Sequence, residues 1–326
     1  MKNRNIKIVL LGATGFVGSA LLSRLSHRND SNVQVSAMVR GEYENFFFPF
    51  LDIINGELPD RIPSTIFPDE PHVVVHFATQ KIVNPDIEEV NIRGTENLLN
   101  KFTKSTLGII YASSMSVYGQ GEQTGVDENR DAKPDTPLAL SRVKAEEMII
   151  RKAEQNNICA YILRTRVIIG KNDLSSLPGY INMVKNGLII GNGTQKFSII
   201  SVNDYADIIL QLVYSIYKRM EINKPLRRPF HLCYEKPIQL NSIIDEICNA
   251  MLLKKPWKKL PVFKWFFNLL HALPGGIFTD LATRLELTGL SHYGKPDKLS
   301  MEIGKNIISK DPTIVFRQTL KEYLKG

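Results

Sequence analysis

Ile6-Lys7-Ile8-Val9-Leu10-Leu11-Gly12-Ala13-Thr14-Gly15-Phe16-Val17-Gly18 is the stretch on which the fold turns. Its first six residues hold five apolar side chains without alternation, which predicts a strand buried on both faces of a parallel sheet. From Phe16 the apolar residues fall at Phe16, Val17, Leu21, Leu22 and Leu25, a helical spacing. Glycines fill the turn between the two elements. One permits a tight bend, the second lets backbone approach a pyrophosphate, and the third lets helix and strand pack closely. The first amides of the helix then face the phosphates. Gly12, Thr14, Gly15, Phe16, Val17 and Gly18 are therefore candidate dinucleotide contacts.

Working outward, residues 33–39, 73–77, 107–111 and 159–163 read as strands, and 87–102 and 139–154 have helical periodicity. Alternating strands and helices predict an α/β fold with a doubly wound parallel (Rossmann) sheet. Past residue 165 the pattern loosens. A strand is expected at 197–202, a helix at 204–217, a strand at 230–233 and a helix at 238–251. The expected organisation is a dinucleotide-binding domain over 1–165, with a segment near 195–233 partly returning to it. Residues 166–326 then form a smaller mixed α/β lobe for substrate.

The residue closing the second strand bears on the cofactor. An acid there would bind a ribose 2′-hydroxyl, whereas this chain has Val39-Arg40-Gly41 and no acid before Glu42. A guanidinium complements a 2′-phosphate, so NADP is the expected cofactor and NAD the alternative.

Composition narrows the class. The 326 residues are 43% hydrophobic and 23% charged, the balance of a globular protein with a sizeable core. A net charge of +8 favours anionic ligands. The basic residues are scattered, without the dense basic and aromatic run of a nucleic-acid groove, so no nucleic-acid partner is expected. The three cysteines, Cys159, Cys233 and Cys248, are far apart and lack metal spacing. They fit a reducing, cytoplasmic setting and no metal site. No apolar run approaches the ~18 residues of a membrane span. Residues 257–273 combine aromatic and basic side chains. That suits either an interfacial membrane segment or a helix packed over a substrate cleft or dimer face.

In order along the chain stand GATGFVG (12–18), HFATQK (76–81), NIRGTENLL (91–99), SSMSVYG (113–119) and PLALSRVKAEE (137–147). This set resembles the extended short-chain dehydrogenase/reductases, and within them the nucleotide-sugar epimerases, dehydratases and reductases. GNGTQKFSIISVNDYADII (191–209) and Asp297-Lys298-Leu299 resemble that family's C-terminal elements. The resemblance implies an NAD(P)-dependent enzyme acting on a nucleotide-linked sugar, usually as a homodimer. It implies Glu57 and Leu58 near the adenine, Ala78 and Lys81 along the cofactor, and Asn91 supporting the loop beneath. Ser114 falls on the active-site hydroxyl that bonds the reacting sugar oxygen. Ser116, Tyr118 and Lys196 fall on the substrate side.

The resemblance breaks at one place. The family's tyrosine and the lysine four residues later fall here on Leu138 and Arg142. Leucine transfers no proton, and arginine stays protonated, so Arg142 is expected to hold a ribose hydroxyl or phosphate. The pair Tyr214 and Lys218 has the right spacing but lies on a later helix. Val167 and Phe197 fall where family members often carry an asparagine and a diphosphate-binding arginine. Three readings follow. The first is an NADP-dependent reductase of a keto nucleotide-(deoxy)sugar, in which Ser114 polarises the carbonyl. Its proton comes from water, Lys81, Ser116 or Tyr118. The second is an NAD-dependent nucleotide-sugar 4-epimerase, and the third a catalytically silent NAD(P)-binding protein.

Overall fold

The apolar N-terminal run forms β1 (Ile6–Leu11), and the helical spacing after the glycines forms α1 (Phe16–Arg28). The computed structural model describes residues 5–28, 32–41, 48–80, 87–261 and 285–325. It contains two compact units. The first is Met1–Val117, Ala132–Arg164 and Asn203–Phe230, and the second is Tyr118–Asp131, Thr165–Val202 and His231–Gly326.

The first unit is built on a seven-stranded sheet. Its strands are β1, β2 (Val33–Val39), β3 (Leu51–Asn55), β4 (His72–His76), β5 (Thr106–Ser114), β6 (Cys159–Thr165) and β7 (Arg227–His231). They run in the order β7-β6-β5-β4-β1-β2-β3. Parallel ladders join β3, β2, β1, β4 and β5, with Ile8 opposite both Val35 and Val73. The order reverses between β1 and β4. That makes their carboxyl ends the switch point where such sheets take ligands.

Helices α2 (Gly94–Asn100), α3 (Pro137–Gln155) and α4 (Val202–Glu221) accompany α1. The sequence predicts one helix over 87–102, but the structure has a π-helical turn, Glu89–Arg93, before α2. Such turns often mark functional positions, and this one holds the buried Asn91. α3 starts where Thr136 accepts from the Ala139 amide at 3.2 Å and Pro137 opens the first turn. Its buried stripe runs Ala139, Arg142, Ala145, Glu146, Ile149 and Ala153, so two charged residues sit among apolar ones. Val9, Leu11, Val74, Ile109, Tyr111, Ala145, Ile149 and Ile162 form the core between this helix layer and the sheet.

The two sheet edges differ from the interior. β3 has Asp52 and Ile53 exposed, and without an apolar run it gave no strand signal in the sequence. β7 begins three residues earlier than the apolar stretch suggests, since Arg227 and Arg228 belong to it, and it carries Pro229.

In the second unit a four-stranded sheet runs in the order Ile238–Gln239, Lys196–Phe197, His292–Gly294, Gln123–Val126. Val167–Ile169 pairs with Ile199–Ser201, and Leu188–Ile190 with Lys258–Leu260. The strand expected at 197–202 is thus two strands in two sheets. The chain crosses between them at Ser198, whose hydroxyl accepts from the Gly294 amide at 3.1 Å. The helix expected at 238–251 starts at Leu240. It ends at Leu252, which closes it at φ +55° in the left-handed region. Of the segment 257–273, residues 258–260 form an exposed strand, and residues beyond 261 lie outside those described.

Candidate cofactor site

The glycine turn is shaped by close approaches. Gly12 sits at φ +85°, and a Cβ on it would lie 2.7 Å from the Ala78 nitrogen and the Phe77 carbonyl carbon. A Cβ on Gly18 would lie 2.1 Å from the Gly12 oxygen, so helix α1 rests directly on the turn. Thr14 and Gly15 are exposed, and Phe16 is half-buried. The first turn of α1 carries no acid that would neutralise its positive end. Together these features fit a pyrophosphate laid against the N-terminal end of α1.

At the end of β2, Arg40 is exposed, and its Nη1 lies 3.4 Å from a Glu57 carboxylate oxygen. Arg61 binds the other oxygen of Glu57, and the two residues also exchange backbone hydrogen bonds of 2.7 and 2.9 Å. The Arg61 hydrogen bond, with a smaller contribution from Arg40, holds the Glu57 carboxyl below its usual range. Two guanidiniums therefore share one carboxylate and leave a net positive patch. Leu58 is buried, with its Cβ 3.1 Å from where a Cβ on Gly94 would sit.

Beneath the loop after β4, Asn91 acts as a clamp. Its Oδ1 accepts from the Gln80 amide at 2.7 Å, and its Nδ2 donates to the Gln80 oxygen at 3.2 Å and to Ser141 Oγ at 3.0 Å. This ties the loop bearing Ala78 and Thr79 to α3. Arg142 makes a second tie. Its Nη1 donates to the Ala112 oxygen at 2.6 Å and its Nη2 to Thr79 Oγ1 at 3.3 Å. Leu138 lies one turn earlier on α3, half-buried.

Below Arg142 the core is polar. The Thr95 hydroxyl donates to the Asn91 oxygen at 2.7 Å, so it accepts from His76 Nε2 at 3.2 Å. That fixes the imidazole tautomer and makes Nδ1 the acceptor. Burial, with the charge of Arg142, pushes His76 down to about 3. Burial likewise pushes the Tyr111 phenol up to about 12. Alongside, Glu146 accepts from Arg164 at 2.5 Å and 3.3 Å and from the Ser113 hydroxyl, all three residues buried.

Ser114 ends β5 half-buried, and its Oγ accepts from the Ser116 amide at 3.1 Å. The Ser116 hydroxyl is buried and has no partner among the described residues. Tyr118 differs from the expectation of a substrate contact or proton source. It is 2% exposed in the second unit, and its hydroxyl donates to His231 Nε2 at 2.6 Å. The His231 tautomer follows from Nδ1 donating to the Lys295 oxygen at 3.1 Å. Lys196 is half-buried in the second unit, beside the fully buried Phe197. Lys81 lies outside the described residues. No group of metal-ligating side chains occurs among the described residues.

The structure thus groups Gly12, Gly15, Gly18, Ala78, Asn91, Ser114 and Arg142 around the carboxyl ends of the first unit's strands. Sequence reading passed over Arg61, Thr79, Ser141 and the Glu146–Arg164 pair. Arg61 follows Glu57 by four residues in a turn, where no periodicity marks it.

A family model described as the NAD-dependent epimerase/dehydratase family matches residues 8–221. The chain belongs to that family. The epimerase/dehydratase match starts in β1 and ends with α4, so it spans the glycine turn, the Asn91 clamp and Arg142. Among characterised proteins, the UDP-glucose 4-epimerase of Vibrio cholerae is 26% identical over 293 residues, or 85% of this chain and 84% of that one. An N-acetyl-alpha-D-glucosaminyl-diphospho-ditrans,octacis-undecaprenol 4-epimerase of Escherichia coli O157:H7 is 24% identical, covering 86% of this chain and 85% of its own. Among solved structures, the UDP-glucuronic acid 4-epimerase of Bacillus cereus in complex with NAD superposes with a TM-score of 0.72. That match has 18% identity and covers 98% of this chain and 99% of the other, a likeness of fold.

Proposed function

We propose that this epimerase/dehydratase-family chain is an NADP-dependent reductase of a keto group on a nucleotide-linked (deoxy)sugar. The observation that carries the cofactor assignment is the Arg40–Glu57–Arg61 cluster at the end of β2. Its net positive charge suits a 2′-phosphate better than a bare ribose hydroxyl, which an acid would bind. When bound, the cofactor supplies the hydride.

The chain's own residues divide the remaining work. The amides of Thr14 and Phe16 hold the pyrophosphate, while the Gly15 amide closes the turn on the Gly12 oxygen at 3.1 Å. Asn91 and Arg142 fix the floor formed by Ala78, Thr79 and Ala112. The Ser114 Oγ accepts from the Ser116 amide, so its own hydrogen is free to donate to a carbonyl oxygen. Leu138 supplies no base. Oxidising a hydroxyl, the first step of epimerisation, requires a group that takes a proton. Reduction requires only a donor to the developing alkoxide, and Ser114 with water meets that need. Lys196 is the proposed cationic contact for substrate phosphate, and the working form is a cytoplasmic homodimer.

A second reading, an NAD-dependent 4-epimerase, is favoured by the activities of the two relatives and the NAD bound in the solved structure. Titration with NADPH and NADH, followed by nicotinamide fluorescence, separates the two. The reductase reading expects tighter NADPH binding and NADPH consumption with 4-keto-6-deoxy nucleotide sugars. Tighter NADH binding together with interconversion of UDP-sugar epimers would establish the epimerase. Cofactor binding with neither turnover would mark a silent binding protein.

A further inference from the structure

Residues 252–260 of the second unit read Leu-Leu-Lys-Lys-Pro-Trp-Lys-Lys-Leu, four lysines and no acid. All four lysines are exposed. Lys255 pairs with Asp245 at 2.6 Å, and the other three have no acidic partner among the described residues. Lys258 places its ammonium 5.2 Å from the centre of the Trp257 ring. The segment is anchored rather than loose. Lys258–Leu260 pairs in parallel with Leu188–Ile190, and Pro256 is buried.

The apolar members are the unusual part. Leu252 is 93% exposed, Trp257 78% and Leu260 40%. Leu252 also occupies the left-handed position after the helix Leu240–Met251, at φ +55°. Glycine or asparagine fits that position without steric cost, whereas a leucine there is strained. Folding and solubility both argue against an exposed leucine at this point, so its presence asks for another reason.

We propose that the 252–260 segment docks the protein on an anionic lipid surface. The lysines take headgroup charge while Leu252, Trp257 and Leu260 enter the interface. Tryptophan prefers the headgroup level, where its ring is buried and its N–H stays wet. Clustered lysines draw such a surface to negatively charged lipid. A nucleic-acid strand would satisfy the lysines but would give Leu252 and Leu260 nothing to bury them. No helix among the described residues is long and apolar enough to cross a membrane.

The test is co-sedimentation of the full chain with phosphatidylcholine vesicles prepared with and without phosphatidylglycerol. The expected result is binding to the anionic vesicles only, with a blue shift in emission that is lost in Trp257→Ser. Reversing Lys254, Lys258 and Lys259 to glutamate should weaken binding roughly 100-fold. Leu252→Gly is the sharper variant, because it should hold or raise the melting temperature while reducing vesicle binding. Equal binding to both vesicle types, or none to either, overturns the proposal. So does anionic binding that Leu252→Gly and Trp257→Ser leave unchanged, or a preference for oligonucleotide over vesicles in competition.

Discussion

Arg40 and Glu57 show how neighbours set the meaning of a single side chain. Glu57 alone would suit a ribose hydroxyl. Held by Arg61 and facing Arg40, its charge is already used, and the surplus at this end of the sheet is positive. Arg40→Gln is therefore expected to weaken NADPH binding roughly tenfold and leave NADH binding unchanged, as read by fluorescence titration. Equal losses for both cofactors would mean that Arg40 serves the fold and not the 2′-phosphate. Tyr118 teaches the converse lesson. In the sequence it stands two residues after Ser116 and invites a catalytic role, yet its hydroxyl is spent on His231. A hydrogen bond between residues 113 positions apart leaves no mark on either local sequence.

At the scale of elements, α3 joins two kinds of interaction on one stripe. Ala145 and Ile149 bury apolar surface, while Arg142 and Glu146 reach polar partners on β5 and β6. Removing one member of a buried ion pair strands the other charge, so Glu146→Ala should cost about 3 kcal/mol in urea denaturation. Adding Arg164→Met to that variant should recover part of the loss, and a purely additive double variant would show the pair to be independent. The same helix explains what was legible in the sequence. β1, α1 and α3 were plain because a buried strand writes a near-continuous apolar run and helices write a spacing of three and four. β2 was plain because its valines alternate with Gln34 and Ser36 before an apolar end. The glycine turn was plain because close backbone contact admits no other residue at Gly12 or Gly18. β3 was hidden by its exposed Asp52, and the start of β7 by its two arginines. Arg61 and the Glu146–Arg164 pair were hidden because their partners are chosen by tertiary packing.

The molecule as a whole carries a pH dependence in its buried imidazoles. His76 in the first unit and His292 in the second are each pushed down to about 3, chiefly by burial. In the unfolded chain each takes a proton as pH falls below its ordinary 6.5, whereas the folded chain takes none until about 3. The unfolded state then holds more protons, so this stability is complete above that ordinary value and is lost as pH falls toward 3. The slope should approach ~1.4 kcal/mol per pH unit for each histidine. Urea midpoints measured from neutral pH downward should fall accordingly, and a flat profile would show both histidines to be hydrated.

The sheet's outer strand β7 bears on the protein's behaviour in crowded or heated solution. Pro229 has no N–H, so this edge cannot present a full row of donors to a strand from another molecule. Pro229→Val would restore the missing donor while keeping a side chain suited to a strand. Its expected result is a protein that binds cofactor normally yet scatters light and precipitates on mild heating, while the parent stays clear.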